Sequence, residues 1–181
     1  MKILLIAISC MLIICVVMYV YYGGFRRLKI QIAEQGGEFV IYDTIIGDYR
    51  QSGVVMDKIY YSLLNEHKIE TFKGYGKYLD NSKKVEKSKL RSEAGCIIEP
   101  QDVNNIKVEN GFKSKVLPVQ KYIISDFPYK GKLAVLFSIM KVYPALGKFA
   151  EMNGFDEDGP ITEIYDIPNK KIIYRKEIIA K

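Results

Sequence analysis

Twenty consecutive residues, Ile3 to Tyr22, carry no charge, no proline and no glycine, and a water-exposed fold has few ways to hide such a run. As a helix it spans about 30 Å, the thickness of a bilayer hydrocarbon core. Tyr19, Tyr21 and Tyr22 cluster at one end, where amphipathic rings favour the headgroup level. Gly23, Gly24, Phe25, Arg26 and Arg27 follow as a flexible exit and a charged stop. The competing reading is a cleaved secretory signal, whose apolar core would be about 7–15 residues long and end on small residues. Ile14 before Cys15 is too bulky for a lipoprotein cut, and the apolar run continues past Ala7-Ile8-Ser9-Cys10. Residues 1–25 are therefore expected to be a single transmembrane anchor and residues 26–181 the domain it tethers. Lys2 flanks one end, against Arg26, Arg27 and Lys29 at the other. The positive-inside bias then places the domain in the cytoplasm.

Several chemistries are excluded early. Cys10 and Cys15 lie in the apolar run, which leaves Cys96 alone in the domain, in the strand-like Ala94-Gly95-Cys96-Ile97-Ile98. A buried structural thiol is expected there, and no intradomain disulfide can form. His67 is the only histidine, so neither a metal site nor a Cys–His pair is expected. There is no Gly-x-Ser-x-Gly elbow, and Gly74-Tyr75-Gly76 lacks the rest of a phosphate-cradling loop. The net charge of +6 is dispersed; its densest stretch, Lys83 to Arg91, is broken by Glu86. That reads as a solvated loop near anionic lipid, with no nucleic acid expected as a partner.

The domain repeats itself. Ile45-Ile46-Gly47-Asp48-Tyr49-Arg50-Gln51-Ser52-Gly53 lines up without gaps on Ile123-Ile124-Ser125-Asp126-Phe127-Pro128-Tyr129-Lys130-Gly131. A β-rich run precedes each stretch, Glu38 to Tyr42 and Val116 to Tyr122. Helical spacing follows each, through Met56, Ile59, Tyr60 and Leu63 and through Leu133, Leu136, Phe137 and Met140. Pro144 is expected to interrupt the second helix, with Ala145 to Met152 a separate short one. Each half then ends in two strands, Tyr75–Leu79 with Arg91–Ile98 and Ile161–Ile167 with Lys171–Ile178, the latter pair turning at Pro168-Asn169-Lys170. The expected fold is α+β: strand–helix–strand–strand twice, halves about 30–100 and 113–179, with pseudo-twofold symmetry and one mostly antiparallel sheet. Gln101 to Phe112 is the connector. A groove is expected at the seam between the halves.

Glu163 is the most informative polar residue. On a strand it shares a face with Ile161 and Tyr165. Such a carboxylate lies either toward solvent or in a pocket, where it would need a cationic ligand or a tyrosine hydroxyl. The chain holds 14 tyrosines and no tryptophan; those at the seam would suit flat or cationic molecules. Glu163, Tyr165 and the two matched aromatics Tyr49 and Phe127 are the candidate ligand-binding residues.

The run Tyr78-Leu79-Asp80-Asn81-Ser82 through Lys89-Leu90-Arg91 to Gly95 resembles the tyrosine, Asp-Asn-Pro, Lys-Leu-Arg and Gly pattern of the GyrI-like small-molecule-binding domains, with Ser82 in place of the proline. Asn153-Gly154, Gly159-Pro160 and Glu163-x-Tyr165 are similar to that family's second half, so the resemblance covers roughly residues 30 to 179. The anchored arrangement resembles the branch that includes a testis-expressed endoplasmic-reticulum autophagy receptor. That receptor's long acidic tail has no counterpart before Lys181, so its role is not expected to carry over. The resemblance implies a groove between pseudo-symmetric halves with a central Glu, here Glu163, that meets cationic or planar aromatic ligands. It also implies a possible hydrolase activity on strained-ring electrophiles through the Glu and a Tyr, for which Tyr165 is the nearest candidate. The expected function is membrane-tethered binding of a small amphipathic or cationic organic molecule, with no cofactor. The alternatives are an anchored protein-interaction module with a vestigial groove, and that hydrolase.

Overall fold

The computed structural model describes residues 2–106 and 111–181. Its elements in chain order are α1 (Lys2–Tyr21), β1 (Gln31–Gln35), β2 (Phe39–Ile46), α2 (Gln51–Ser62), β3 (Lys73–Tyr78), β4 (Arg91–Ile98), β5 (Lys113–Val116), β6 (Gln120–Pro128), α3 (Lys132–Met152), β7 (Ile161–Asp166) and β8 (Lys171–Glu177). The α+β repeat holds, with a short strand added before each unit. The connector Gln101–Phe112 lies partly outside the described residues; its described part makes one tight turn at Val103–Asn105.

α1 forms where the uncharged run predicts a helix and has no buried residue. It is long and apolar enough to cross a membrane. α3 also passes that test of length and composition, but Ala134, Ser138, Val142, Leu146 and Ala150 lie buried along one side of it.

The eight strands form one antiparallel sheet in the order β1-β6-β8-β7-β3-β4-β2-β5. The two ends of that order are joined through the chain. β1 runs into β2 through 36–38, β5 runs into β6 through 117–119, and the two long strands pair in the same register on both sides of the bend: Gln35 opposite Gln120, Phe39 opposite Val116. Gly37 N–H to Leu117 O and Leu117 N–H to Glu38 O, both 2.8 Å, bridge the interval. The sheet is thus drawn round toward closure by one crossing. Glycine is required there: Gly36 (φ +131) and Gly37 (φ +89) are left-handed, and a Cβ on Gly36 would stand 2.1 Å from Pro118 O.

Closure gives both faces a core. Under α3 lie Ile123, Phe127, Ile161, Ile172 and Tyr174; under α2 lie Ile41, Cys96 and Ile98 with Ile59 and Leu63. Val40, Tyr75, Ile97, Leu117 and Ile164 fill the opposite face. Burying whole side chains of this kind stabilises by about 1.5–3 kcal/mol each.

Two expectations are corrected. α3 runs unbroken through Pro144. A proline interrupts by losing one amide bond to the preceding turn, and here the sheet on the buried side holds the turns together while Pro144 faces outward, exposed. The nine-residue match is also not the structural register of the repeat. Ile45 is the penultimate residue of β2, and the penultimate residue of β6 is Phe127, not Ile123. The crossing has the same offset, since Gly36 and Gly37 face Pro118 and Val119.

Candidate functional site

At the seam, β3 and β7 pair with Gly76 opposite Glu163 and Gly74 opposite Tyr165. Glu163 in turn faces Tyr174 on β8. One row on the helix-covered face therefore reads Ala94, Gly76, Glu163, Tyr174, Ser125. Small residues flank the carboxylate toward the first half, and the floor there is bare backbone. Met56 of α2 reaches over it: a Cβ on Gly76 would meet the Met56 methyl and the Tyr78 hydroxyl, each at 3.2 Å.

Glu163 has no exposed surface. Tyr143, from α3, donates its hydroxyl hydrogen to Glu163 Oε1 at 2.8 Å, and Tyr165 donates to Oε2. No Lys, Arg or His pairs with this carboxylate among the described residues. Burial pushes it up to about 7, against the pull of the two hydroxyl bonds. The phenols of Tyr143, Tyr165 and Tyr78 are pushed up as well, by burial first and then by the Glu163 charge. All three stay neutral donors. Ring contacts extend the cluster: Tyr143–Tyr174 at 6.0 Å, Tyr129–Tyr165 at 6.3 Å and Tyr49–Tyr78 at 4.8 Å between centroids.

The opposite face carries the same kit with its cation supplied. Glu93 accepts the Tyr75 hydroxyl at 2.6 Å and the Lys115 ammonium. Lys115 Nζ lies 4.4 Å from the Tyr42 ring centroid and 5.8 Å from that of Tyr75. A carboxylate with two tyrosines thus accommodates an ammonium in this very sheet.

Of the four residues singled out from sequence, Glu163 and Tyr165 are brought together. Tyr49 stands at the rim, against Tyr78, with its hydroxyl donating to Asp80 O at 2.8 Å. Phe127 is fully buried under α3, in the same apolar cluster as Tyr174, with Tyr143 and Tyr165 packed against that cluster. It fills the place that Ile45 fills in the first half. Tyr78 and Tyr174 belong to the strand-borne tyrosines from which the seam lining was expected, but were not singled out; sequence reasoning missed Tyr143 and the two glycines. Gly74-x-Gly76 inside a strand was a usable signal, because glycine there marks a close approach.

Of the residues that carry the sequence resemblance in the first half, Tyr78 reaches the Glu163 cluster, while Asp80 and Asn81 are structural. Asp80 accepts the Arg91 amide at 2.7 Å and its guanidinium at 2.7 Å, closing the lysine-rich loop. Asn81 donates to Asp158 at 2.7 Å, tying that loop to the approach to β7. An open depression of about 530 Å³ lined by Lys58, Tyr61, Asn65 and Phe112 shares no residue with the Glu163 cluster.

The sequence matches no family model and no curated protein. Solved structures do match. EcmrR in an EcmrR–DNA complex aligns with 98% of this chain and 69% of its own at 14% identity, TM-score 0.60. The EcmrR C-terminal domain aligns with 85% of this chain and 99% of its own at 11% identity, TM-score 0.58. SAV2435 bound to tetraphenylphosphonium aligns with 83% of this chain and 93% of its own at 10% identity, TM-score 0.55. The likeness is one of fold, and it agrees with the α+β architecture expected from the sequence.

Proposed function

We propose that this chain is a membrane-tethered receptor for lipophilic cations, bound at the seam between its halves with Glu163 as counter-ion and tyrosines as walls. One observation carries the reading: among the described residues, Glu163 is a buried carboxylate held by two phenol hydroxyls with no cation beside it. A lone buried charge is costly, and Glu93 with Tyr75, Tyr42 and Lys115 exemplifies what satisfies such a group. The fold likeness to a protein bound to tetraphenylphosphonium supports the same ligand class. For a ligand to reach Glu163, Tyr165 or Tyr143 turns aside, Met56 yields its flexible end, and the ligand lies over Gly74 and Gly76. α1 is the anchor in this reading, and the membrane-anchored branch of the resembling family supports that assignment.

Equilibrium dialysis of labelled tetraphenylphosphonium against the full chain in amphipol tests this. Saturable uptake by wild type that Glu163→Gln lacks is expected. Equal uptake by both would overturn the role of Glu163. A second reading, an interaction module with a vestigial groove, is favoured by the complete cover over Glu163; it predicts no saturable uptake at all.

A further inference from the structure

We propose that the outer face of α3 lies in the headgroup region of an anionic leaflet, the one that α1 leaves, so that the domain is held flat on the bilayer. The proposal rests on the anchored reading above. Leu133, Leu136 and Met140 repeat at helical spacing on the side of α3 opposite Ala134, Ser138 and Val142, and are 44, 55 and 67% exposed. Leucine and methionine exposed in a row form the kind of patch that marks a docking surface.

What covers the row is indicated by what adjoins it. Phe137, in the same turns of α3, stacks on Tyr22 at 5.5 Å and meets Tyr19 edge-on at 6.2 Å. Tyr19 in turn meets Phe25, 73% exposed, at 5.1 Å. The apolar row is therefore continuous with the end of α1, none of whose residues is buried. The join is clamped: Lys130 Nζ donates to Tyr21 O at 2.8 Å, and Lys141 Nζ donates to Gly24 O.

Charge completes the argument. From Phe127 to Ala150 the sequence has no Asp or Glu, while Lys130, Lys132, Lys141 and Lys148 fall in it. Arg27 and Lys29 leave α1 at the same place and are exposed, as is Arg26, which pairs with Asp126 at 3.3 Å. A helix with an apolar stripe and lysines, whose one acid, Glu151, falls at its far end, suits an anionic interface, where each cation adds about 1 kcal/mol of attraction. Tyr143, which caps Glu163, sits on this same helix three residues past Met140. A cation dissolved in the leaflet thus meets the helix that closes the site.

The chain has no tryptophan, so single-tryptophan variants of the full chain report depth directly. Leu136→Trp, Met140→Trp, Val17→Trp inside α1, and Val119→Trp at the strand crossing are placed in vesicles of equimolar phosphatidylglycerol and phosphatidylcholine. Lipids brominated high on the acyl chain serve as quenchers. Loss of most emission at positions 136, 140 and 17, with 119 unquenched, is the expected result. Quenching at 17 alone overturns the proposal and leaves the anchor standing; a blue-shifted but unquenched 136 would instead mean a second copy covers the row. No quenching at 17 overturns the anchor, and the proposal with it.

Discussion

Tyr143 and Glu163 face each other between helix and sheet beside the seam, hydroxyl to Oε1 at 2.8 Å, one from the middle of α3 and the other from the central strand β7. With Tyr165 on Oε2, the pair closes a carboxylate that burial holds at about 7. A carboxyl near neutrality, held by two phenols, has consequences for pH and for stability, and for binding in the proposed reading.

Stability should fall as pH rises through the range set by Glu163. Its folded value of about 7 lies above the ordinary 4.5, so between these the folded state holds a proton that the unfolded state has lost. The stabilising protonated form is complete below pH 4.5 and gone above about 7, at a cost of roughly 3 kcal/mol. Urea unfolding of wild type and Glu163→Gln at pH 5 and pH 8 checks this. The glutamine variant should be the more stable at pH 8 and show a flatter pH profile.

Cation affinity should run the other way. A bound cation favours the ionised carboxylate, so below pH 7 binding releases a proton. Affinity for tetraphenylphosphonium is expected to rise about tenfold per pH unit up to 7 and then level off. Dialysis across pH 5.5 to 8.5 measures it, and a flat profile would detach binding from Glu163.

Tyr143→Phe should leave Oε1 without a donor and raise the carboxyl further. Losing a hydrogen bond to a buried charged group costs about 1.5–3 kcal/mol. The loss should show at pH 8 and shrink at pH 5, where the carboxyl is protonated; stability equal to wild type at both would show that the bond is not made.

Gly76→Ala should weaken ligand binding while the fold survives. Its Cβ would press on the Met56 methyl and the Tyr78 hydroxyl at 3.2 Å, both of them side-chain ends and not backbone. Gly36→Ala should do the reverse and cost the fold at least about 2 kcal/mol, because its Cβ meets the Pro118 carbonyl at 2.1 Å in a left-handed backbone. Thermal melts with and without ligand separate the two.

Much of this architecture was legible before any coordinates. The uncharged run, the strand–helix–strand–strand order and the Pro168-Asn169-Lys170 turn follow from local chemistry, and Asp166 accepting from the Asn169 amide and side chain pins that turn as expected. Sharing of one face by Ile161, Glu163 and Tyr165 was legible too. Which face was not, because the closing of the sheet decides it, and that depends on two backbones distant in sequence crossing at Gly36 and Pro118. Pro144 misled because the sheet supports α3 from one side. The nine-residue match set Phe127 against Tyr49, whereas in the fold it takes the place of Ile45, four positions out of that register. Tyr143 gave no signal: its direction is set by how α3 sits on β7 and β8.

The most direct test pairs two ligands of one shape and opposite charge, tetraphenylphosphonium and tetraphenylborate, in thermal melts of the full chain and of Glu163→Gln at pH 8. Stabilisation of wild type by the phosphonium alone, lost in the variant, is the predicted result. Equal response to both ions, or a phosphonium response that the variant keeps, would contradict a cation site built on Glu163.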